Sequence, residues 1–413
     1  MPKSKNILVV TGGSGFIGSN LIELLLKKTN YKIISIDNYS TGNKKNHIVS
    51  KKVLYINDDI LNIKKILNSK KNQIRTIFHF AEFSRIYQSF FNIEKCFDSN
   101  IKGTAEVINF CLKYNIKIVY SATTASLGNM QNDQHMSPYS YTKAFNMNLI
   151  INLGKWNKLK YEIVYFYNVY GPRQIKNSKM SAVMGFFETQ YINNKPLTVI
   201  KPGTQKRKFT HVTDTVEACY LAWKENKNRL YSISSKESLS IINVAKMFSN
   251  NIKMLNERIG EKFITENLKN IRGIKLYNLQ GKKNLKDYIE NFKETHKKKI
   301  MKIKKHTYCF DIDGVICRTK KNFYKESKPN KKAIAKINQL YANGNKVIVF
   351  TARFMGRSNE NISLAKQRGY NFTYKQLKGW GLNFHKLIFG KPSFDYIIDD
   401  KSVDFKKNWY KFI

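Results

Sequence analysis

Two pairs of residues in this sequence have the types and spacing to do chemistry. Tyr139 and Lys143 stand at i and i+4, which on a helix puts both on one face. A phenol with its ordinary pKa of about 10 is a poor base at neutral pH, so it needs a fixed cation beside it and a bound oxidised dinucleotide as a second one. Lys143 would be the fixed cation. Tyr141 is a second candidate ring, but Tyr139 directly follows Ser137-Pro138, a helix-start pattern, and lies downstream of the hydroxyl-rich Ser121-Ala122-Thr123-Thr124. The other pair is Asp311 and Asp313, at the end of the apolar run Thr307 to Phe310. There Asp311 can attack phosphorus, Asp313 can protonate a leaving oxygen, and both can help bind Mg2+.

Such residues need a scaffold, and the sequence outlines one. The apolar run Ile7 to Val10 leads into Thr11-Gly12-Gly13-Ser14-Gly15-Phe16-Ile17-Gly18, followed by an amphipathic segment bearing Leu21, Ile22, Leu24 and Leu25. Glycines in that order allow a tight turn, close approach of backbone to a pyrophosphate, and close helix-to-strand packing, with the phosphates at a helix N-terminus. Asp37 closes the next apolar run; a carboxylate there accepts from ribose hydroxyls and repels a 2′-phosphate, so NAD is expected over NADP. Further β-branched runs, Lys32 to Ile36, Ile74 to Phe80 and Lys117 to Tyr120, alternate with helix-length segments and imply βαβ units in a doubly wound parallel sheet, an α/β fold.

At 413 residues the chain is expected to hold more than one domain. The pattern becomes less regular from about Pro172, as in a smaller substrate lobe at 171–294. The basic stretch 295–305 reads as a linker, and a second α/β unit follows at 306–413. A helix carrying Ile334, Ile337 and Leu340 is expected to stop at Asn343-Gly344. The formal charge of +44 is overwhelmingly lysine, spread along the chain together with many Asn and Ile. That is the mark of compositional drift more than of a nucleic-acid face, and its milder consequence is a field that draws in anionic substrates. Five cysteines without CxxC spacing and no run long enough for a membrane span point to a cytoplasmic protein, with neither nucleic acid nor membrane as partner.

The motifs taken together resemble the extended short-chain dehydrogenase/reductase family, and within it the UDP-glucose 4-epimerase-like enzymes. The likeness runs from about residue 5 to 293. It rests on Thr11 to Gly18, Asp37-Asn38-Tyr39-Ser40-Thr41-Gly42, Asp59-Ile60, His79-Phe80-Ala81, Asn100 with Gly103-Thr104, Tyr139 to Lys143, Tyr167 to Arg173, Pro202 to Arg207 and His211 to Asp214. The resemblance implies a Rossmann core of about 5–170 with tightly bound NAD. Gly12, Gly15, Phe16, Ile17, Gly18, Asp37, Asn38, Phe80, Ala81, Asn100, Tyr139 and Lys143 would contact the cofactor, and Asp59 and Ile60 its adenine. Thr123 would hydrogen-bond the sugar O4 while Tyr139 acts as base. Asn168, Arg207 and Arg258 would hold the nucleotide of a UDP-hexose, and a homodimer would form through the helices following Ile93 and Tyr139. Related dehydratases and decarboxylases share the first oxidation but then need a carboxylate beside the catalytic hydroxyl. Here Thr124-Ala125 follows Thr123, which favours epimerisation; a non-catalytic nucleotide-binding scaffold is the alternative of another class. The chain departs from the family at Tyr165, where an arginine is usual, and at Glu82-Phe83-Ser84-Arg85, where 4-epimerases carry a lysine.

Asp311-Ile312-Asp313-Gly314 resembles the first motif of the haloacid-dehalogenase-like phosphatases. The later motifs would be Thr351 after Val347 to Phe350, Lys391 in Gly390-Lys391-Pro392, and Asp399-Asp400. That likeness implies a fused Mg2+-dependent phosphatase domain in which Thr351 and Lys391 hold the phosphoryl group of a phosphorylated substrate and Asp311, Asp313 and Asp399 hold the metal. The intervals between these motifs leave no room for a large cap.

Overall fold

The computed structural model describes residues 5–127, 136–260, 270–271, 273–302, 305–392 and 409–411. The chain divides into two compact units, Met1–Lys297 and Lys298–Ile413. The basic stretch read as a linker is helical as far as Lys302, the end of the helix Leu285–Lys302.

In the first unit the β-branched runs form a parallel sheet: β1 (Ile7–Thr11), β2 (Lys32–Asp37), β3 (Val53–Asn57), β4 (Ile74–His79), β5 (Lys117–Thr123) and β6 (Tyr161–Phe166). Their order is β3-β2-β1-β4-β5-β6, continued by the parallel strands Leu230–Ser234 and Ile274–Gln280 and edged by the antiparallel Asn270–Ile271. Every residue of β1 is buried, as a central strand covered by helices on both faces requires. One face packs Val9, Ile34, Ile118 and Ile163 against helices that contribute Val107 and Ile150; the other packs Leu8, Val10 and Val119 against Leu21, Leu25 and Cys219.

Strand order reverses between β1 and β4, so the connections from these two strands leave in opposite directions and open a crevice at their carboxyl ends. In register, Thr11 at the end of β1 faces His79 at the end of β4, placing the glycine loop beside Phe80-Ala81. A smaller lobe packs Phe187, Val199, Phe248 and Leu285 into a separate cluster. Among the described residues no helix is long and apolar enough to cross a membrane.

In the second unit the strands Thr307–Phe310, Lys346–Thr351 and Lys386–Phe389 lie side by side and parallel. The expected helix is Lys331–Ala342, burying Ile334, Ile337 and Leu340, with Gly344 at φ +81° just beyond it. Because the strands run the same way, Asp311, Thr351 and Lys391 emerge at one edge of the sheet.

Candidate active site

At the switch point, Gly12 turns with φ +68°, and a Cβ there would lie 2.9 Å from the carbonyl carbon of Phe80. A Cβ on Gly18 would stand 2.2 Å from the Gly12 oxygen, so the loop closes on itself only without side chains. Helix α1 (Phe16–Lys28) starts from Gly15 with no side chain capping its first turn, which leaves positive backbone ends facing the crevice. Asp37 is buried at the end of β2; Ser14 N–H donates to its Oδ2 at 2.9 Å and Tyr39 N–H to its Oδ1 at 2.8 Å. Burial raises its pKa, and the amides of Tyr39, Ser14 and Gly15 work against that shift. The cradle therefore fits a dinucleotide: close backbone approach, an uncapped helix start and a carboxylate at the ribose end.

Asn38 donates to Asp59 Oδ2 at 2.8 Å, so these two expected contacts form one patch. Ile60 packs inward instead, 5% exposed and facing Gly103, and its side chain belongs to the core. Asn100 also departs from expectation. Its amide is wholly buried, accepts from Phe83 N–H at 2.6 Å and donates to the Thr142 hydroxyl at 2.9 Å. It ties the segment after β4 to the helix Pro138–Trp156, so its side chain faces protein partners rather than a cofactor.

That helix begins as its sequence promises: Ser137 caps it by accepting from Ser140 N–H at 3.1 Å, and Pro138 occupies the first turn. Tyr139 is buried and Tyr141 is 45% exposed, stacked on Phe97, which separates the two candidate rings. The Tyr139 phenol is hydrogen-bonded to the Thr123 side chain at the end of β5. Burial pushes Tyr139 up to about 12; the Thr123 hydrogen bond offsets this, Glu82 adds to it, and Arg85 draws it back.

Lys143 does not point to open space. Its ammonium pairs with Glu82, donates to the Ser121 carbonyl and lies 4.4 Å from the centre of the Tyr120 ring. Burial lowers the pKa of Lys143, with Glu82 acting in the opposite sense. The other Glu82 oxygen accepts from Tyr120 at 2.9 Å and from Thr104 and Asn146, each at 3.1 Å. Thr104 in turn meets Nε2 of His79 at 2.9 Å, and Nδ1 of His79 meets Thr11 at 2.8 Å. Since Thr104 donates to Glu82, it accepts from Nε2–H, and Thr11 donates to Nδ1. Burial brings His79 down to about 4, so the ring is neutral. Asn146 was not singled out from sequence, Thr104 and Tyr120 only as members of a motif and a strand run, and Glu82 only as a departure; the signal within reach was Asn146, three residues past Lys143 on the same helix face.

The expected substrate contacts scatter around this centre. Asn168 adopts φ +24° and donates to the Lys208 carbonyl at 3.1 Å, beside Arg207, which donates to the Lys206 carbonyl at 3.0 Å. Arg258 lies over the Tyr87 ring, 4.9 Å from its centre. Arg85 stands beside Tyr139 and donates to the carbonyls of Met180 at 2.6 Å and Ser84 at 2.7 Å, with no acidic partner among the described residues.

In the second unit, Lys391 Nζ lies 2.5 Å from Asp311 Oδ2, and Thr351 is fully buried. Both oxygens of Asp313 accept from Arg353, at 2.8 Å each. Burial raises Asp313, but the guanidinium outweighs it and holds the carboxyl below its ordinary range. So held, Asp313 is an anion at neutral pH and not the proton donor its sequence position suggests. No cluster of three or more metal-ligating side chains occurs among the described residues, and Asp399, the expected third ligand, lies outside them. With Asp311 and Asp313 each facing a cation, the described residues alone do not fit Mg2+.

The sequence profile of the NAD dependent epimerase/dehydratase family matches residues 8–234. A putative UDP-glucose 4-epimerase of Methanocaldococcus jannaschii is 28% identical over 270 residues, 62% of this chain and 86% of that protein. A UDP-N-acetyl-alpha-D-glucosaminuronate decarboxylase of Bacillus cytotoxicus is 28% identical over 58% of this chain and 78% of its own length. Among solved structures, a UDP-N-acetylglucosamine 4-epimerase of Methanobrevibacter ruminantium, in complex with UDP-N-acetylmuramic acid, superposes with a TM-score of 0.60 at 25% identity, covering 73% of this chain and 100% of that one.

Proposed function

The chain belongs to the NAD dependent epimerase/dehydratase family, and from that premise we propose that its first unit is an NAD-using 4-epimerase of a UDP-linked hexose. One observation carries this reading. The Thr123 and Tyr139 hydroxyls are joined, and the carboxylate beside them among the described residues, Glu82, is already occupied by Lys143, Tyr120, Thr104 and Asn146, so it is not free to move a second substrate proton. Tyr139 takes the proton of the C4 hydroxyl, Thr123 orients that oxygen, and Lys143 stands behind the base. Bound NAD supplies the hydride acceptor and then the donor. On the return step Tyr139 gives the proton back to O4, and the chain ends unchanged. Asn168, Arg207 and Arg258 are assigned to the nucleotide portion. A homodimer through the helices Ile93–Phe97 and Pro138–Trp156 fits the exposed Ile93, Tyr141 and Phe145.

Arg85 favours a second reading. A crowded guanidinium with no carboxylate partner among the described residues, beside the base, suits a substrate that is itself a carboxylate, a nucleotide-linked hexuronate that is epimerised or decarboxylated. Incubating the protein with UDP-glucose, UDP-galactose, their N-acetyl forms and UDP-glucuronate, and reading products by NMR, separates the readings. Interconversion at C4 supports the epimerase, and loss of water or CO2 overturns it. No turnover, with no dinucleotide in the preparation, returns the scaffold alternative.

For the second unit we propose phosphoryl transfer to Asp311, with Lys391 and Thr351 holding the phosphoryl oxygens: an Asp311 oxygen bonds to phosphorus as the ester P–O bond breaks, the leaving oxygen takes its proton from water, and a second water then hydrolyses the aspartyl phosphate. Support comes from the convergence of these three residues at one edge of the sheet.

A further inference from the structure

One fully connected carboxylate inside the first unit is a group that epimerisation as set out above gives no task. The carboxylate of Glu82 has hydrogen-bonding partners on three sides: Tyr120 on β5, Thr104 on the helix Thr104–Lys113, and Asn146 beside Lys143 on the helix Pro138–Trp156. Four donors converge on its two oxygens, and a proton on this carboxyl would have no acceptor to meet. The Glu82 and Lys143 side chains are 3% and 4% exposed, so neither has a low-cost route to water. A buried ammonium without a counter-ion is strongly disfavoured, so Glu82 makes a charged Lys143 tolerable there. The pair has an electrical consequence. A lone ammonium one helical turn from Tyr139 would favour the phenolate, whereas an ammonium in contact with a carboxylate presents a dipole whose field largely cancels.

Resting on the proposed epimerase reading, we propose that Glu82 is a positioning residue that fixes Lys143 and cancels its charge, so that Tyr139 becomes a base only when positive charge arrives with the oxidised dinucleotide. The groups facing Tyr139 are few enough for this to be decisive. Among the described residues they are Glu82 and Arg85 from the segment after β4, Cys96 from the helix Ile93–Phe97 and Thr123 from β5, with Lys143, paired to Glu82, one turn further along Tyr139's own helix. Arg85 is held by two backbone carbonyls, and the Cys96 thiol is raised by burial and stays neutral. That leaves the Glu82–Lys143 pair as the adjustable balance of charge. The physical benefit is order: hydroxyl oxidation starts only in the loaded site, because the empty one holds its tyrosine protonated.

The test reads Tyr139 directly in the dinucleotide-free protein, by ultraviolet titration of tyrosinate with the matching Tyr139→Phe protein subtracted. Glu82→Gln leaves Lys143 uncompensated and should move the Tyr139 titration down by about one unit or more, as an unopposed charge within about 4–6 Å does. Lys143→Met leaves Glu82 uncompensated and should move it up. The double variant, neutral at both positions, should return close to the parent and guards against a Glu82→Gln protein that fails to fold. In loaded protein Glu82→Gln should shift the acid limb of kcat to lower pH, while Glu82→Asp, which keeps the charge, should leave that limb in place even if kcat falls. If Glu82→Gln and parent titrate together, or the double variant shifts as far as Lys143→Met, the proposal is overturned. The titration needs no substrate, so an incorrect sugar assignment silences only the kinetic arm.

Discussion

Arg353 grips Asp313 with Nε on Oδ2 and Nη2 on Oδ1, both at 2.8 Å, and the guanidinium is itself fully buried. Removing one partner of such a pair strands the other. Arg353→Met should lower the unfolding free energy of the second unit by about 2–3 kcal/mol, at or below the low end of the range for buried pairs because Asp313 keeps a water-exposed edge. Urea denaturation of the full chain, followed by intrinsic fluorescence, measures this.

The same pair carries a pH signature. Asp313 has its pKa lowered in the folded state, so its contribution is present above the unfolded value of about 3.9 and is lost as pH falls through the still lower folded value. The parent should therefore lose stability on acidification from pH 5 to pH 3 more steeply than Arg353→Met. Equal slopes in urea titrations across about this window, the one set by the carboxylate reference value, would show that the pair carries no linkage.

A methyl at Gly18 meets the Gly12 oxygen and the Gly13 Cα, both backbone and therefore unyielding. Gly18→Ala should weaken dinucleotide binding by about 2 kcal/mol, roughly thirtyfold, through forced movement of the loop. Calorimetry with NAD reads it out, with Gly379→Ala, which meets nothing within 4 Å, as the unaffected control.

Asp37→Asn keeps the size of the side chain and one of the two oxygens that accept from the Ser14 and Tyr39 amides, but removes the charge that excludes a 2′-phosphate. The preference for NAD over NADP should fall by at least about tenfold. A preference that survives intact in competition binding would move the discriminating charge elsewhere.

Tyr139→Phe should lower kcat by roughly 10²–10⁴, the usual worth of a positioned acid–base group, while Tyr141→Phe stays within about twofold. Comparable losses in the two variants would return the choice between the rings to open ground.

Asp311→Asn should abolish hydrolysis of a generic phosphate ester in the presence of Mg2+ and leave sugar conversion untouched. Normal hydrolysis by this variant would rule out Asp311 as the nucleophile.

What the sequence showed, it showed through local signals. Gly12, Gly15 and Gly18 announce a turn because no other residue fits it, and Ser137-Pro138 announces a helix start. Both are legible within a few residues. Glu82 stood out only as a departure, since its partners Thr104, Tyr120 and Lys143 come from three separate elements, and only the parallel ordering of β1, β4 and β5 brings them together. Asn100 and Ile60 misled for a related reason. Motif position gave their place along the chain but not their direction, and both turn toward the protein. Arg353 was silent because a lone arginine after Thr351-Ala352 acquires meaning only from Asp313 across the sheet edge.

The line Thr11, His79, Thr104, Glu82, Lys143 runs unbroken from the glycine turn to the ion pair at the catalytic helix. The hydrogens of the first three links all point toward Glu82, where the Lys143 ammonium donates from the other side, and reversing any of those three would leave two donors or two acceptors facing each other at the next link. The interior thus has a polarity in the manner of a wired circuit. A substitution such as His79→Phe should be felt at both ends at once, loosening dinucleotide grip and proton transfer together, although residue 79 is positioned to touch neither reactant.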